Sequence, residues 1–153
     1  MTRTNLRKKL KDSDSKLEES ALRILSIRDH SERELFQKLK KRGFEVERIV
    51  SLIERLKETG VLDDRRFAIS YARWRRKKLY GNRKIYAELL NKGVDRELAL
   101  EAIESVSEEM GEAEAARTLA RKKGTRGEKL FRFLVQRGFS MEVAREVAQN
   151  EDS

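Results

Sequence analysis

The sequence contains no cysteine and no proline, and glycine occurs only 8 times in 153 residues. Without cysteine, neither a disulfide framework nor a thiolate metal site can form. Without proline and with few glycines, little in the chain interrupts a helix, which favours helices over a turn-rich sandwich or barrel. Apolar residues make up only 38% of the chain, so several thin helical layers suit the composition better than one large core.

Long apolar runs are also missing, and no stretch approaches the length of a membrane span. The beginning of the chain, MTRTNLRKKLKDSDSK, carries basic residues but no apolar segment of the kind that secretory signals contain. We therefore expect a cytoplasmic protein that does not bind membranes.

Charge is what the sequence has in excess. Charged residues make up 41% of the chain, against about 25% in typical soluble domains. The formal net charge is +9, which predicts an acidic partner, with nucleic acid as the first candidate. The alternative is that the charge serves only to keep the protein soluble.

An internal repeat organises the chain. Three segments, residues 31–53, 81–103 and 126–148, align without gaps and share apolar residues at helical spacing. A glycine stands at the same position in each segment, and the three are Gly43, Gly93 and Gly138. In the first segment basic residues precede the glycine and an apolar residue follows it, as is typical where a left-handed glycine ends a helix.

A further helical segment precedes each aligned segment, so each repeat is predicted to contain three helices. Units of about 45 residues cannot bury their apolar faces alone and must stack. The predicted fold is all-α, an elongated, curved array of three tandem three-helix repeats in one continuous domain, and we expect a monomer. The predicted boundaries are a weakly ordered N-terminal tail at 1–18 and repeats at 19–60, 61–108 and 109–150.

Several residues form a pattern more specific than the repeat. The first repeat contributes a serine, Glu34-Leu35, Lys38-Leu39 and Gly43. The more specific part is Leu62-Asp63-Asp64 followed by Phe67, Ala68 and Tyr71, and then a basic stretch, a glycine and IYAELLNKGV. In these features the chain resembles the RecX family of recombination regulators over about residues 20–148, with a looser match in the third repeat.

The resemblance implies a protein that is not an enzyme and uses no cofactor. RecX-like proteins bind the RecA recombinase, chiefly its filament on single-stranded DNA, and lie along the groove of that filament. They mostly inhibit its ATPase, strand exchange and filament growth in recombination and DNA repair. They also bind DNA weakly themselves.

The most basic stretch, YARWRRKKLYGNRK at residues 71–84, holds the only tryptophan of the chain, Trp74. On a helix, Phe67, Tyr71 and Trp74 form one apolar stripe. We therefore predict that Trp74 anchors the core and does not serve as a platform on which a nucleobase stacks.

The cations of this stretch are predicted to form a binding surface. Between Asp64 and Glu88 stand nine basic residues and no acidic one, whereas a merely solvated helix mixes both signs. A second basic run, at 121–132, occupies the equivalent place in the third repeat, so the two runs could form a stripe that contacts DNA phosphate or an acidic groove of the filament. The predicted partner-binding residues are Arg73, Arg75, Arg76, Lys77, Lys78, Arg83, Lys84, Arg121, Lys122, Lys123 and Arg126.

Other polar residues have simpler explanations. Asp63 and Asp64 precede a predicted helix, so helix capping explains them better than a metal site or an acid–base pair. The only histidine, His30, is expected to be an ordinary polar loop residue. No phosphate-binding loop, nucleophile constellation or metal-ligand cluster stands out.

Two other classes of function remain open at this point. The protein could be a stand-alone helical-repeat DNA-binding protein, or a repeat scaffold for another protein with no dependence on nucleic acid.

Overall fold

The computed structural model describes the backbone of Arg3–Glu151 and the side chains of Asn5 and of residues 14–150. Within this part the chain forms nine α-helices and no β-strand, so the predicted all-α class is confirmed. The helices are α1 (Arg3–Ile27), α2 (Glu32–Lys41), α3 (Val46–Glu58), α4 (Asp64–Lys77), α5 (Asn82–Asn91), α6 (Arg96–Glu109), α7 (Glu112–Lys123), α8 (Gly127–Gln136) and α9 (Met141–Glu151). Among the described helices, none combines the length and the hydropathy that crossing a bilayer requires.

The three aligned glycines end α2, α5 and α8 in the same way. The φ angles of Gly43, Gly93 and Gly138 are +93°, +85° and +97°, in the left-handed region that glycine adopts without steric strain. After the first of them, the backbone N–H of Phe44 donates to the carbonyl of Leu39 at 3.3 Å, and the equivalent bonds in the other repeats measure 3.0 and 3.1 Å. These bonds satisfy carbonyls that the helix leaves free at its C-terminus.

Two compact units make up the chain, one up to Phe67 and one from Ala68, so the division falls in the first turn of α4. The core of the first unit comes from α1, α2, α3 and the segment before α4. Its buried residues are Leu17, Ala21, Ile24, Leu35, Leu39, Ile49, Leu52, Ile53, Leu56 and Leu62.

The second unit buries apolar residues of α4 to α9. One cluster consists of Leu79, Ala115, Ala116, Leu119, Ala120, Leu130, Phe131, Leu134, Phe139, Ala144, Val147 and Ala148. In α5 and α6 and the turn between them, the buried residues include Ile85, Leu89, Val94, Ala99, Ala102, Ile103 and Val106.

The N-terminus differs from the predicted tail at residues 1–18. Helix α1 begins at Arg3, and Leu17, which the prediction placed in the tail, belongs to the core. With neither proline nor glycine in this segment, the helix that buries Leu17 and Ala21 continues towards the N-terminus without interruption. The first two residues of the predicted tail lie outside the described part of the chain.

The two aspartates before and at the start of α4 cap two different helices. Oδ1 of Asp63 accepts hydrogen bonds from the backbone N–H groups of Arg65 and Arg66, at 2.9 and 3.2 Å, and so caps α4. Oδ1 of Asp64 accepts instead from the backbone N–H of Glu32, at 2.9 Å, at the start of α2. Burial raises the pKa of Asp64, and this hydrogen bond opposes the rise. Among the described residues, no group of three or more acidic, histidine or cysteine side chains could hold a metal ion.

Glu112, the first residue of α7, repeats the role of Asp64 one repeat later. Its Oε1 accepts from the backbone N–H of Asn82, the first residue of α5, at 3.1 Å. The same oxygen accepts from the backbone N–H of Ser140, just before α9, at 3.1 Å. Asp64, the first residue of α4, thus caps the N-terminus of α2, and Glu112, the first residue of α7, caps the N-terminus of α5. Negative charge is stabilised at a helix N-terminus.

Candidate partner-binding surface

The buried face of α4 agrees with the predicted one at Phe67, which is 2% exposed, but not at Trp74. Ala68 and Ala72 are fully buried, Arg76 is only 1% exposed, and Trp74 is 51% exposed. Tyr71 is half-buried. The covered stripe therefore contains the small alanines, and the large indole is left at the surface. The prediction that Trp74 anchors the core is wrong.

Arg76 is a buried arginine and is not part of a surface. Its Nη2 donates to the side-chain oxygen of Asn82, while Nε and Nη1 have no hydrogen-bond partner within the described part of the chain. Burial lowers the pKa of Arg76, and the charge of Glu112 opposes this. The placement of Arg76 among the partner-binding residues is wrong, because no partner can reach its guanidinium.

Two other predicted binding residues already have carboxylate partners. Nε and Nη2 of Arg73 both donate to Glu109, each at 2.9 Å, and the same atoms of Arg75 donate to Glu88 at 2.8 and 2.9 Å. Such bidentate pairs are among the strongest hydrogen bonds that an arginine forms. Part of the positive charge that α4 carries in the sequence is therefore neutralised in the fold.

Tyr80 holds two guanidinium groups. Those of Arg75 and Arg137 lie 3.7 and 3.6 Å from the centre of its ring. Two groups this close to one ring centre would collide on the same side, so they occupy opposite faces of the ring. The ammonium of Lys84 lies 5.2 Å from the same centre. The cations attract the electron-rich faces of the ring, and these contacts leave neither face open.

Arg137 is a residue that the sequence analysis missed. Its Nε donates to the carbonyl of Leu79 at 3.1 Å and its Nη2 to the carbonyl of Lys78 at 2.5 Å, so it holds the segment that follows α4. A signal was available, since a basic residue directly precedes the aligned glycine in every repeat. In the first repeat this residue is Arg42, which donates to the hydroxyl of Ser20 at 2.7 Å.

The cations that remain accessible lie at the end of α4 and after it. Lys77 and Lys78 are exposed, and the ammonium group of neither forms a hydrogen bond or a salt bridge with any residue that the structure describes. Lys84 is half-buried beside Tyr80. We call Trp74, Lys77, Lys78 and Lys84 the α4 basic surface. Arg83, two residues after Gly81, is also exposed.

The second predicted run lies at the end of α7 and in the loop before α8. Its cations are exposed, and they are Arg121, Lys122, Lys123 and Arg126. The ammonium of Lys123 lies 4.5 Å from the ring centre of Phe133. We call these four residues the α7 basic run. That it forms one stripe with the α4 basic surface remains a prediction.

His30 is more than an ordinary polar loop residue. It is only 3% exposed; its Nδ1–H donates to the carbonyl of Arg28 at 2.9 Å, and its Nε2 accepts from the ammonium of Lys38 at 2.7 Å. These partners fix a neutral ring with its proton on Nδ1. Burial lowers the pKa of His30; the charges of Arg28 and Lys38 act in the same direction, whereas the bond to the Arg28 carbonyl and the charge of Glu34 oppose it.

We expect stability to fall in mildly acidic solution because of His30. The pKa of the folded state lies below the unfolded value of 6.5, so the unfolded chain takes up a proton first as the pH falls. The stabilisation is therefore complete above about pH 6.5 and is lost as the pH falls through the folded-state pKa. Urea unfolding of the protein and of a His30→Gln variant, compared between about pH 7.5 and pH 5, measures this difference. Because His30 is the only histidine, its proton NMR signal gives the pKa directly, and a value above 6.5 would contradict the argument.

Comparison with known proteins gives consistent matches for this chain. A family model described as RecX, first three-helix domain, matches residues 19–56, and one described as RecX, second three-helix domain, matches residues 63–103. The first range contains α2 and most of α3, and the second contains α4, α5 and the first part of α6.

Relatives match over most of the chain. Regulatory protein RecX of Chromohalobacter salexigens is 36% identical over 133 residues, which cover 83% of this chain and 87% of the relative. Regulatory protein RecX of Caldanaerobacter subterraneus is 33% identical over 125 residues, or 80% of this chain, but these span only 64% of that relative's length. The crystal structure of RecX from Lactobacillus salivarius has the same fold, with a TM-score of 0.77 at 24% identity, covering 92% of this chain and 97% of that one.

Proposed function

The chain belongs to the RecX family, and from this membership we propose that it is a non-enzymatic regulator of the RecA recombinase. It binds RecA, chiefly as the filament on single-stranded DNA, and inhibits ATP hydrolysis, strand exchange and filament growth. The observation that carries the proposal is the match to relatives named as regulatory proteins over more than four fifths of the chain. The net charge of +9 supports a polyanionic partner.

We assign the contact with the filament to the α4 basic surface and the α7 basic run. An accessible cation without an intramolecular partner can meet a phosphate or carboxylate without first giving up an ion pair. The ammonium groups of Lys77 and Lys78 form no salt bridge within the described part of the chain, and Lys77 interacts with Glu109 only through the attraction of their charges. Arg73 and Arg75, in contrast, are already held by Glu109 and Glu88. The lysines at the end of α4 therefore replace the arginines as the main candidates.

A stand-alone DNA-binding protein is the alternative that the same free cations favour. The two functions differ in stoichiometry, because simple competition for DNA needs enough protein to cover the strand. We expect the DNA-dependent ATP hydrolysis of RecA from the same organism to fall at substoichiometric ratios of this protein to RecA. No effect until the DNA is saturated would favour the alternative and contradict the proposal.

Charge reversal at the end of α4 is expected to weaken this inhibition. In the double variant Lys77→Glu/Lys78→Glu, two negative charges face the same polyanion, so we expect inhibition to need at least about tenfold more protein. The matched control is Lys40→Glu/Lys41→Glu, because these exposed lysines also stand at the C-terminal end of a helix, α2, and experience the same helix dipole. Equal inhibition by the two variants, with helix content preserved in both, would show that the α4 basic surface does not contact the filament.

A further inference from the structure

Trp74 is a large aromatic side chain that the fold holds at the surface. Half of its area is exposed, although a buried indole would remove some 150–250 Å² from water. The ring of Tyr71 supports it in an edge-to-face arrangement, with ring centres 5.7 Å apart and an angle of 65° between the planes. The guanidinium of Arg75 lies 5.3 Å from the centre of the indole ring, and Glu88 and Tyr80 hold that guanidinium in place.

Free positive charges lie beside the ring. Lys77 and Lys78 stand three and four positions after Trp74, the spacing that places side chains on one side of a helix. Both are exposed, and within the described residues the ammonium group of neither has a salt-bridge or hydrogen-bond partner. An exposed ring flanked by two unpaired ammonium groups is an arrangement that solubility alone does not need.

The neighbouring aromatic residues cannot offer a face in the same way. Both faces of Tyr80 are covered by guanidinium groups. Tyr71 is half-buried, and the ammonium of Lys92 lies 5.2 Å from its ring centre. Of these three aromatic side chains, Trp74 alone is exposed enough to receive a planar ligand.

We propose that Trp74 stacks on an unpaired nucleobase of single-stranded DNA while Lys77 and Lys78 contact the phosphates on either side. Single strands alternate bases with phosphates, and proteins that bind them combine aromatic platforms with cations in the same way. An acidic protein surface would use the lysines but not the indole, and a duplex keeps its bases paired and stacked. This inference deepens the function proposed above, since it names the component of the filament that the α4 basic surface meets.

Trp74 is also the only tryptophan, so fluorescence excited selectively in the indole, at a wavelength that tyrosine does not absorb, reports on this position alone. We expect an oligothymidylate to quench it, and an abasic oligomer of the same length to quench it much less. Replacement Trp74→Ala should weaken oligothymidylate binding roughly tenfold, as measured by the anisotropy of a labelled strand. The control Leu100→Ala removes another exposed apolar side chain, 54% exposed and on α6, and should leave the affinity unchanged.

Three results would overturn the inference. The Trp74→Ala protein could bind the strand as tightly as the wild type, or the abasic oligomer could quench as strongly as the oligothymidylate. Trp74→Ala could also lose inhibition of RecA while keeping its affinity for the strand, which would assign the indole to a protein contact. The first two results leave substoichiometric inhibition of RecA by the wild type untouched, so failure of the stacking inference remains distinct from failure of the proposed function.

Discussion

Replacing Arg76 by glutamate is expected to destabilise the second unit severely, although the adjacent charge reversal at Lys77 is expected to leave the stability of the fold nearly unchanged. The glutamate would place a carboxylate at a site that is 1% exposed and close enough to Glu112 for the two charges to interact. It would also lose the hydrogen bond that Arg76 donates to Asn82. Uncompensated buried charge destabilises a fold by about 3–5 kcal/mol, a large part of the stability of an ordinary domain.

Urea unfolding of Arg76→Glu and Lys77→Glu, side by side, measures this difference. Lys77 is exposed, so its reversal should change the free energy of unfolding by no more than about 0.5 kcal/mol. Arg76→Met separates charge from volume. The methionine lacks the two buried nitrogens that have no hydrogen-bond partner, which favours the fold, but it leaves Glu112 without a countercharge, which disfavours it. We expect these opposing effects to keep the free energy of unfolding within about 1.5 kcal/mol of the wild type. If Arg76→Glu is as stable as Lys77→Glu, the guanidinium is accessible in solution.

Replacing Gly138 by alanine is expected to produce the second large loss. The residue has a φ of +97°, where a β-carbon destabilises the backbone by about 1–2 kcal/mol. That β-carbon would also lie 2.3 Å from Cβ and 2.8 Å from the backbone nitrogen of Lys84. The start of α5 cannot move away freely, because Arg83 N–H donates to the Gly138 carbonyl at 2.9 Å and Gly81 N–H to the Arg137 carbonyl at 3.1 Å. The overpacking adds about 1–3 kcal/mol.

The equivalent glycine of the first repeat provides the control. Gly43 has nearly the same φ, +93°, but nothing lies within 4 Å of a β-carbon placed there. Gly43→Ala should therefore cost only the backbone strain of about 1–2 kcal/mol, and its difference from Gly138→Ala in denaturant unfolding measures the contact with α5. Equal losses at the two glycines would show that the chain relaxes around Gly138 without strain.

Features set by local chemistry could be predicted from the sequence. Apolar spacing indicated the helices, and the glycine after each basic helix end indicated the left-handed residues, because both depend on neighbours only a few positions away. The capping role of Asp63 follows from its place directly before α4. The continuation of α1 to Arg3 was missed because the apolar pattern weakens there, although no residue stops the helix.

The burial pattern of α4 could not be predicted in the same way. Two adjacent stripes of that helix, one with Trp74 and one with Ala68 and Ala72, were both candidates for the core. Hydrophobicity favoured burial of the indole, but the fold buries the alanines and leaves the indole half-exposed. The neutralisation of Arg73 depends on Glu109, 36 residues away, a distance over which sequence spacing predicts nothing.

The hydrogen bond from Glu32 to the carboxylate of Asp64 joins residues that the ribosome adds at different times. Translation produces the chain from its N-terminus, so the N–H of Glu32 leaves the ribosome 32 residues before the oxygen that accepts it. The N–H of Asn82 is likewise synthesised 30 residues before Glu112, whose side-chain oxygen accepts its hydrogen bond. The hydrogen bonds that cap the N-termini of α2 and α5 can therefore form only after Asp64 and Glu112 have been synthesised.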